Sequence, residues 1–512
     1  MVKLMDEREI DAQALEYQKK LRKEMGLEKG VVQHFEKPFE RPWPKAEKDS
    51  TTILFGGLTL AHEELVGEAM RGLGYNIQLL PCPDNEALAI GKEYGNRGQC
   101  NPTYYTVGSL VKHLKQLEAQ GEKDIEDRYV FVTAGACGPC RFGMYEAEYR
   151  KALRDSGFGR FRVMLFQQSG GLKQSGADSA LQLNAKFGVT LLKGIMVGDL
   201  LNDLGYKIRP YEVNPGETDR VTEQAKKIMG DCVREGGSIF FNLRRVRKLY
   251  KGIKVDFTRV KPKVKITGEF WAQTTEGDGN YHMFRWLESE GAEVMVEPIG
   301  TWIEYLIWSA RHGAEEKLAI DKTRKSLIRK LIVAKVVFRL WYNLYRWGLG
   351  FRTDSLPDQQ KLADYAKAYY NTHLKGGEGH LEIGKNIMVA KDKHAQMVVS
   401  LKPFGCMPST MSDGVQSKVV ADFKDAIYIP IETSGDGEIN VKSRTQMKLY
   451  EAKIKARQEM AEVLEKHQVT VEQVRDYVAR HPKYANPMRR LPHHHGISTA
   501  ANFVSEVAGH MK

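Results

Sequence analysis

The feature that most constrains this chain is an order of elements that occurs twice. In the first half the apolar run Tyr129-Val130-Phe131-Val132 leads into Gly135-Ala136-Cys137-Gly138-Pro139, then a helical stretch over Tyr145 to Leu153. The run Phe161 to Phe166 and Gln168-Ser169-Gly170-Gly171 follow. In the second half the run Met397 to Leu401 leads into Phe404-Gly405-Cys406-Met407-Pro408, then a helix, the run Ala426 to Ile431, and Glu432-Thr433-Ser434-Gly435. The halves also open alike. Thr52 to Phe55 and Tyr75 to Leu80 flank a helical stretch in one, and Val264 to Gly268 and Glu293 to Val296 do so in the other. Short apolar runs alternating with helices specify parallel strands, because each crossover helix must return across the sheet and cover it. The fold class read from this is α/β: two similar doubly wound parallel-sheet domains plus helical segments.

The boundaries follow from the same pattern. Residues 1–50 read as a polar N-terminal extension with one helix over Asp11 to Met25, broken by Lys37-Pro38, Arg41-Pro42 and Trp43-Pro44. Residues 51–260 form the first α/β domain, with Cys82, Cys100, Cys137 and Cys140, and residues 261–450 the second, with Cys406. Residues 451–512 read as a C-terminal helical tail. Within the second domain the spacing predicts a long basic helical region over Lys317 to Arg346 and further helical stretches over Tyr365 to Leu374 and Ile383 to Lys393.

Composition removes several classes. A chain of 512 residues buries a large core without disulfide staples, and 42% hydrophobic with 28% charged residues is neither disordered nor collagenous. The net charge of +12 raises nucleic-acid binding, but no RNP or zinc-finger signature accompanies it. The charge therefore reads as a solvated surface or the complement of an acidic protein partner. The best membrane candidate, Leu331 to Leu349, is interrupted by Lys335, Arg339 and Arg346, which argues against a span. Met1 to Arg22 is charged throughout and lacks the apolar core of a secretory signal, so the expectation is a cytoplasmic protein. Six cysteines in that setting are core thiols, redox thiols or metal ligands rather than a disulfide framework.

Cys-x-Pro occurs three times, as Cys100-Asn101-Pro102, Cys137-Gly138-Pro139 and Cys406-Met407-Pro408. A proline just after the cysteine opens a helix, which sets the sulfur at a helix amino terminus, where the local field favours thiolate. These positions also lie at strand ends, where open α/β sheets bind ligands. Cys140 completes a Cys-x-x-Cys with Cys137, and Cys82 sits between Pro81 and Pro83. Thiolates from two domains suit a soft metal or an iron–sulfur cluster, while a dithiol redox site, half a zinc site and buried thiols remain open. Cys232, in the helical run Glu223 to Glu235, reads as a core thiol. Two motifs are decoys. Gly379-x-x-x-x-Gly384-Lys385 lacks the Ser or Thr of a phosphate loop, since Asn386 follows, and no strand precedes it. His493-His494-His495 reads as surface histidines.

Several of these segments resemble the 2-hydroxyacyl-CoA dehydratase component superfamily, which includes the double-cubane cluster proteins. The matching stretches are Gly91-Lys92-Glu93-Tyr94 with Cys100-Asn101-Pro102, Gly138-Pro139-Cys140-Arg141-Phe142-Gly143-Met144-Tyr145, Gly377-Glu378-Gly379 with Ile383-Gly384, and Pro403-Phe404-Gly405-Cys406-Met407-Pro408. The pattern is most similar to the dehydratase-like region of the large CoA-enzyme activase proteins, here as a separate chain, over roughly residues 50 to 450. The resemblance implies an iron–sulfur cofactor, a 4Fe-4S cluster or alternatively an 8Fe-9S double cubane. Cys100, Cys140 and Cys406 match the family's cluster positions, and Cys82 and Cys137 are further ligand candidates. It also implies a homo- or hetero-dimer and a separate ATP-hydrolysing reductase of the actin/sugar-kinase fold with its own 4Fe-4S cluster.

Two roles stay open at this point. One is the cluster-bearing component of an ATP-dependent low-potential reductase or dehydratase. The other is a non-enzymatic relay that passes low-potential electrons to another metalloenzyme. Glu93, Arg141, Tyr145, Ser169 and Ser434 lie in or beside the matched segments as cavity residues. The plainer alternatives are an ion pair between Glu93 and Arg141, packing for Tyr145 and helix capping for the serines. The basic run around Arg324, Lys325, Arg329 and Lys330 is the expected reductase contact.

Overall fold

The computed structural model describes residues 7–25, 41–135, 140–167, 178–374, 377–493 and 496–511. Cys137, Ser169, His494 and His495 lie outside the described residues. The chain divides into two units, Met1–Glu40 and Arg41–Lys512. Among the described residues the first carries the helix Glu7–Glu24, which starts a turn earlier than its spacing suggests and leaves Tyr17, Leu21 and Met25 exposed. The larger unit begins with a stretch that the sequence joins to the extension, yet Trp43 is buried beside Tyr75, with ring centroids 6.3 Å apart.

Eight strands of the larger unit form two four-stranded sheets, each parallel throughout. β1 (Thr52–Phe55), β2 (Asn76–Leu79), β3 (Tyr129–Gly135) and β4 (Arg162–Gln167) lie in the order β2-β1-β3-β4. β5 (Lys263–Gly268), β6 (Glu293–Met295), β7 (Met397–Pro403) and β8 (Ile427–Thr433) lie in the order β6-β5-β7-β8. The two orders are the same, so the repeat in the sequence is a repeat in topology. Successive side chains of a strand point to opposite faces, and β1 and β3 use both. Leu54 and Phe131 join Val111, Tyr149 and Leu153 on one side, while Ile53 and Val130 join Val66, Met70 and Phe187 on the other. The second sheet packs Val264, Ile266, Val399 and Ile429 against Phe284, Leu287 and Leu449. Burying apolar side chains on both faces is the main stabilising term, at about 25 cal/mol per Å².

A large helical body accompanies the sheets. The helices Ala185–Ile208, Glu217–Glu235, Ile239–Tyr250 and Arg324–Gly348 share one apolar cluster. The helix Glu438–His467 runs through residue 450 without a break and packs Met460 and Val463 against Tyr484, Phe503 and Val504. Two predicted helices change bounds. Residues 317–323 of the basic region are not helical and its helix is Arg324–Gly348, because Asp321 accepts the Thr323 N–H (3.0 Å) and the Arg324 Nε (2.9 Å) just ahead of it; the preceding helix, Ile299–Glu316, ends before the region begins. The stretch after Tyr365 leaves the helix at Ala366, since Gln359–Ala366 is the helix and Asn371 accepts the His373 N–H.

Candidate functional site

Three cysteines gather around one glycine. Cys100 precedes the helix Asn101–Ala119 and Cys406 precedes Met407–Asp422, each with its proline in the first turn, as the Cys-x-Pro spacing predicts. Cys140 follows β3 and precedes the turn Arg141–Met144, which runs into the helix Tyr145–Asp155. The loops that carry them are bonded to one another. The Asn101 N–H donates to Phe404 O (3.0 Å), Asn101 Nδ2 donates to Thr433 O (2.7 Å), and Arg141 Nε donates to Gly405 O (3.1 Å). Gly405 has φ +77°, and a Cβ there would lie 3.0 Å from Gln99 O and 3.3 Å from Cys100 Cα. Only glycine gives the left-handed turn and the close approach that set Cys406 beside Cys100.

Other residues hold Cys100 in place. Glu148 accepts the Asn96 N–H (3.0 Å), Asn96 Nδ2 (2.8 Å) and Gln99 Nε2 (3.0 Å), which ties the loop before Cys100 to the helix after Cys140. The Tyr145 hydroxyl lies 3.1 Å and the Thr103 hydroxyl 3.3 Å from Cys100 Sγ. In the other half the Cys406 thiol donates to Ser409 Oγ (3.3 Å), and Ser409 donates to Glu382 Oε1 (2.9 Å).

Three carboxyl groups complete the site. Glu269 follows β5 and accepts the Ala272 N–H (2.9 Å), and Glu378 accepts the Phe270 N–H (2.6 Å). Glu382 accepts Ser412 Oγ (2.6 Å) and faces Lys402 at 3.7 Å, with Asp413 also paired to Lys402. Burial pushes Glu269 up to about 7, against two backbone N–H groups that favour its charged form. Burial pushes Glu378 well above the usual carboxyl range, and the charges of Glu269 and Glu382 add to it. Burial also raises the thiols of Cys100, Cys140 (to about 12) and Cys406. The thiolate expected from the helix amino termini is therefore overridden, because desolvation of a buried sulfur outweighs the local field. Thiols and carboxyls whose charged forms burial disfavours share this site, with Arg141, Lys385 and Lys402 as cations near it. Soft sulfur donors that ligate as thiolates fit a cationic iron–sulfur core, which would supply the positive charge that deprotonates them.

Among the described residues no three His, Cys, Asp or Glu donors converge as a single metal ion requires. A cubane binds each thiolate through a different iron, so its cysteines stand apart around it rather than at one point.

The other residues singled out in the sequence take different places. Cys82 lies after β2, 3.7 Å from Thr275 Oγ1, with Glu63 and Glu276 nearby, and burial raises its thiol. Its neighbours are not those of the Gly405 joint. Cys232 is buried in the helical body, where Asn242 Nδ2 donates to its sulfur at 3.2 Å. Glu93 is exposed and pairs with no arginine among the described residues, because Arg141 is turned toward Gly405. Tyr145 is buried and bonded to Cys100 rather than merely packed. Ser434 does not cap the following helix, whose cap is Gly437. Its hydroxyl donates to Asp436 (2.6 Å). Sequence reasoning missed Glu269, Glu382, Lys402 and Ser409. The available signal was position: Glu269 directly follows Gly268 at a strand end, and Ser409 lies one turn after Cys406.

Comparison with protein-family models and with curated proteins gives no match.

Proposed function

We propose that this chain is the iron–sulfur component of an ATP-dependent low-potential reductase or 2-hydroxyacyl-CoA dehydratase-type system. In this reading Cys100, Cys140 and Cys406 hold the cluster, and Cys137 is a further ligand. In the same reading the sheets are doubly wound and the cluster would sit at the carboxyl ends of β3 and β7; the strand order, which reverses beside both strands, supports this. The chain works in the cytoplasm, as a dimer, with a separate ATP-hydrolysing reductase. The observation that supports this reading is the meeting of Cys100, the Cys140 turn and Cys406 around Gly405.

The cluster would supply one-electron chemistry at low potential. The chain's own residues prepare for it. Tyr145 and Thr103 offer hydroxyl protons to the Cys100 sulfur and stabilise it as thiolate. The Cys406 thiol donates to Ser409 and Ser409 to Glu382, so a hydrogen-bond chain leads from the Cys406 sulfur to a buried carboxyl. Glu378 stays protonated in the buried site, and Glu269, raised to about 7, exchanges its proton near neutral pH.

The test is anaerobic purification with iron and sulfide analysis, electron paramagnetic resonance and reduction by candidate ATP-hydrolysing reductases. The expected result is bound iron and sulfide, reduced only with ATP and a reductase. Zinc or no metal, or ATP hydrolysis by the isolated chain, overturns the reading.

A further inference from the structure

The helix Arg324–Gly348 has apolar side chains on two faces. Phe338, Tyr342 and Tyr345 pack into the helical body. On the opposite face Val333, Val337, Leu340, Leu344 and Trp347 recur at alternating spacings of four and three, and all are exposed, Leu340 by 65% and Trp347 by 58%. A helix apolar all round is normally covered on every side. The charges that interrupt this segment do not serve the outer face. Lys335 and Arg339 reach Glu304 (3.7 and 2.8 Å), and Arg346 donates to Thr353 O (2.8 Å).

The surroundings are cationic. Phe240, on the helix Ile239–Tyr250, lies 5.1 Å from Trp347 and 5.5 Å from Phe241, and Phe241 is 65% exposed. Arg244, Arg245 and Lys248 follow Phe241 at three, four and seven residues, so they share its face. Lys325, Arg329 and Lys330 extend the outer face of the longer helix toward its amino terminus. None of these six cations forms an ion pair among the described residues. No Asp or Glu occurs from Gly236 to Val255 or from Lys322 to Thr353.

We propose that this two-helix face binds an anionic membrane surface as an interfacial, non-spanning contact. The exposed valines, leucines and aromatic rings enter the headgroup boundary while the six cations meet lipid phosphates. The absence of acidic residues selects this occupant. A second copy would bring its own acid-free face and leave the cations unanswered, whereas an anionic bilayer satisfies both the apolar seam and the charge. From sequence alone Lys325, Arg329 and Lys330 read as a reductase contact. The apolar seam that continues them is what the structure adds.

The test is co-sedimentation of the full chain with phosphatidylcholine vesicles, with and without phosphatidylglycerol, at low and high salt. Binding is expected to the phosphatidylglycerol vesicles and to weaken with salt. Replacing Lys325, Arg329 and Lys330 together by Gln should lower affinity about 100-fold, at roughly fivefold per cation. Leu340→Glu should abolish binding with unchanged circular dichroism, and Trp347→Phe should remove the blue shift of fluorescence on binding. Absence of binding, or binding that Leu340→Glu leaves intact, overturns the proposal. So does a disulfide-linked dimer formed by Leu340→Cys under oxidant without vesicles, since a second copy then covers the seam.

Discussion

The two halves share a strand order but divide the chemistry unequally. In the first half the long helix Asn101–Ala119, between β2 and β3, is preceded by Cys100, and the turn after β3 carries Cys140. In the second half the helix before β7 opens after Glu378-Gly379, and the turn after β7 carries Cys406. The first half thus contributes two described thiols and the tyrosine that bonds one of them. The second contributes one thiol, three buried carboxyls and Lys402. A repeated scaffold places equivalent positions at one joint, and the residue types at those positions then diverge. One half becomes the softer donor, the other the store of protons.

If the site is shared in this way, removing the only thiol of the second half is as damaging as removing either from the first. Cys406→Ala, Cys140→Ala and Cys100→Ala are each expected to lose the iron and sulfide of anaerobically prepared protein. Cys232→Ala and Cys82→Ala should retain them. Retention by Cys406→Ala breaks the comparison, and loss with Cys82→Ala extends the site beyond the Gly405 joint toward a double cubane.

The carboxyl side of the comparison is tested by pH. Burial raises Glu269 from 4.5 to about 7, so its contribution to stability is complete below about pH 4.5 and is lost as pH rises through 7. Glu269→Gln keeps an acceptor for the Ala272 N–H without a titrating proton. It should flatten the loss by about 3 kcal/mol across that window, read as denaturant midpoints of the metal-free chain at a series of pH values. Equal slopes for both proteins would remove Glu269 from the proton store.

The joint itself should be less costly to disturb. Gly405→Ala combines a left-handed φ with contacts to Gln99 and Cys100, and should destabilise the chain by about 1–3 kcal/mol and weaken iron binding together. A smaller change follows from Arg141→Ala, which removes one hydrogen bond to Gly405 O, at about 1 kcal/mol. A lowered melting temperature with full iron occupancy in both variants would mean that the joint holds the halves but not the cluster.

Much of the fold is legible in the sequence. The runs at Thr52, Tyr129, Val264, Met397 and Ala426 become strands because buried parallel strands are short continuous apolar stretches bounded by glycine and proline. Cys100 and Cys406 open helices because proline at the first turn permits little else. The basic region misleads by its continuity. Charge and apolar spacing run from Lys317 to Arg346 without a gap, yet residues 317–323 stay outside the helix, where Asp321 accepts from Thr323 and Arg324.

What the sequence determined by itself is local and periodic: strand and helix alternation, the two similar halves, the cysteines at helix starts. These depend on neighbours within a few residues, so they can be read along the chain. What only the tertiary structure decided is which groups meet and in what state. Glu269, Glu378 and Glu382 reach the thiols from separate elements, and nothing in their spacing says so. The protonation of Cys140 and Glu378 also belongs to the fold, because burial, not sequence, removes the water that would hold their charge.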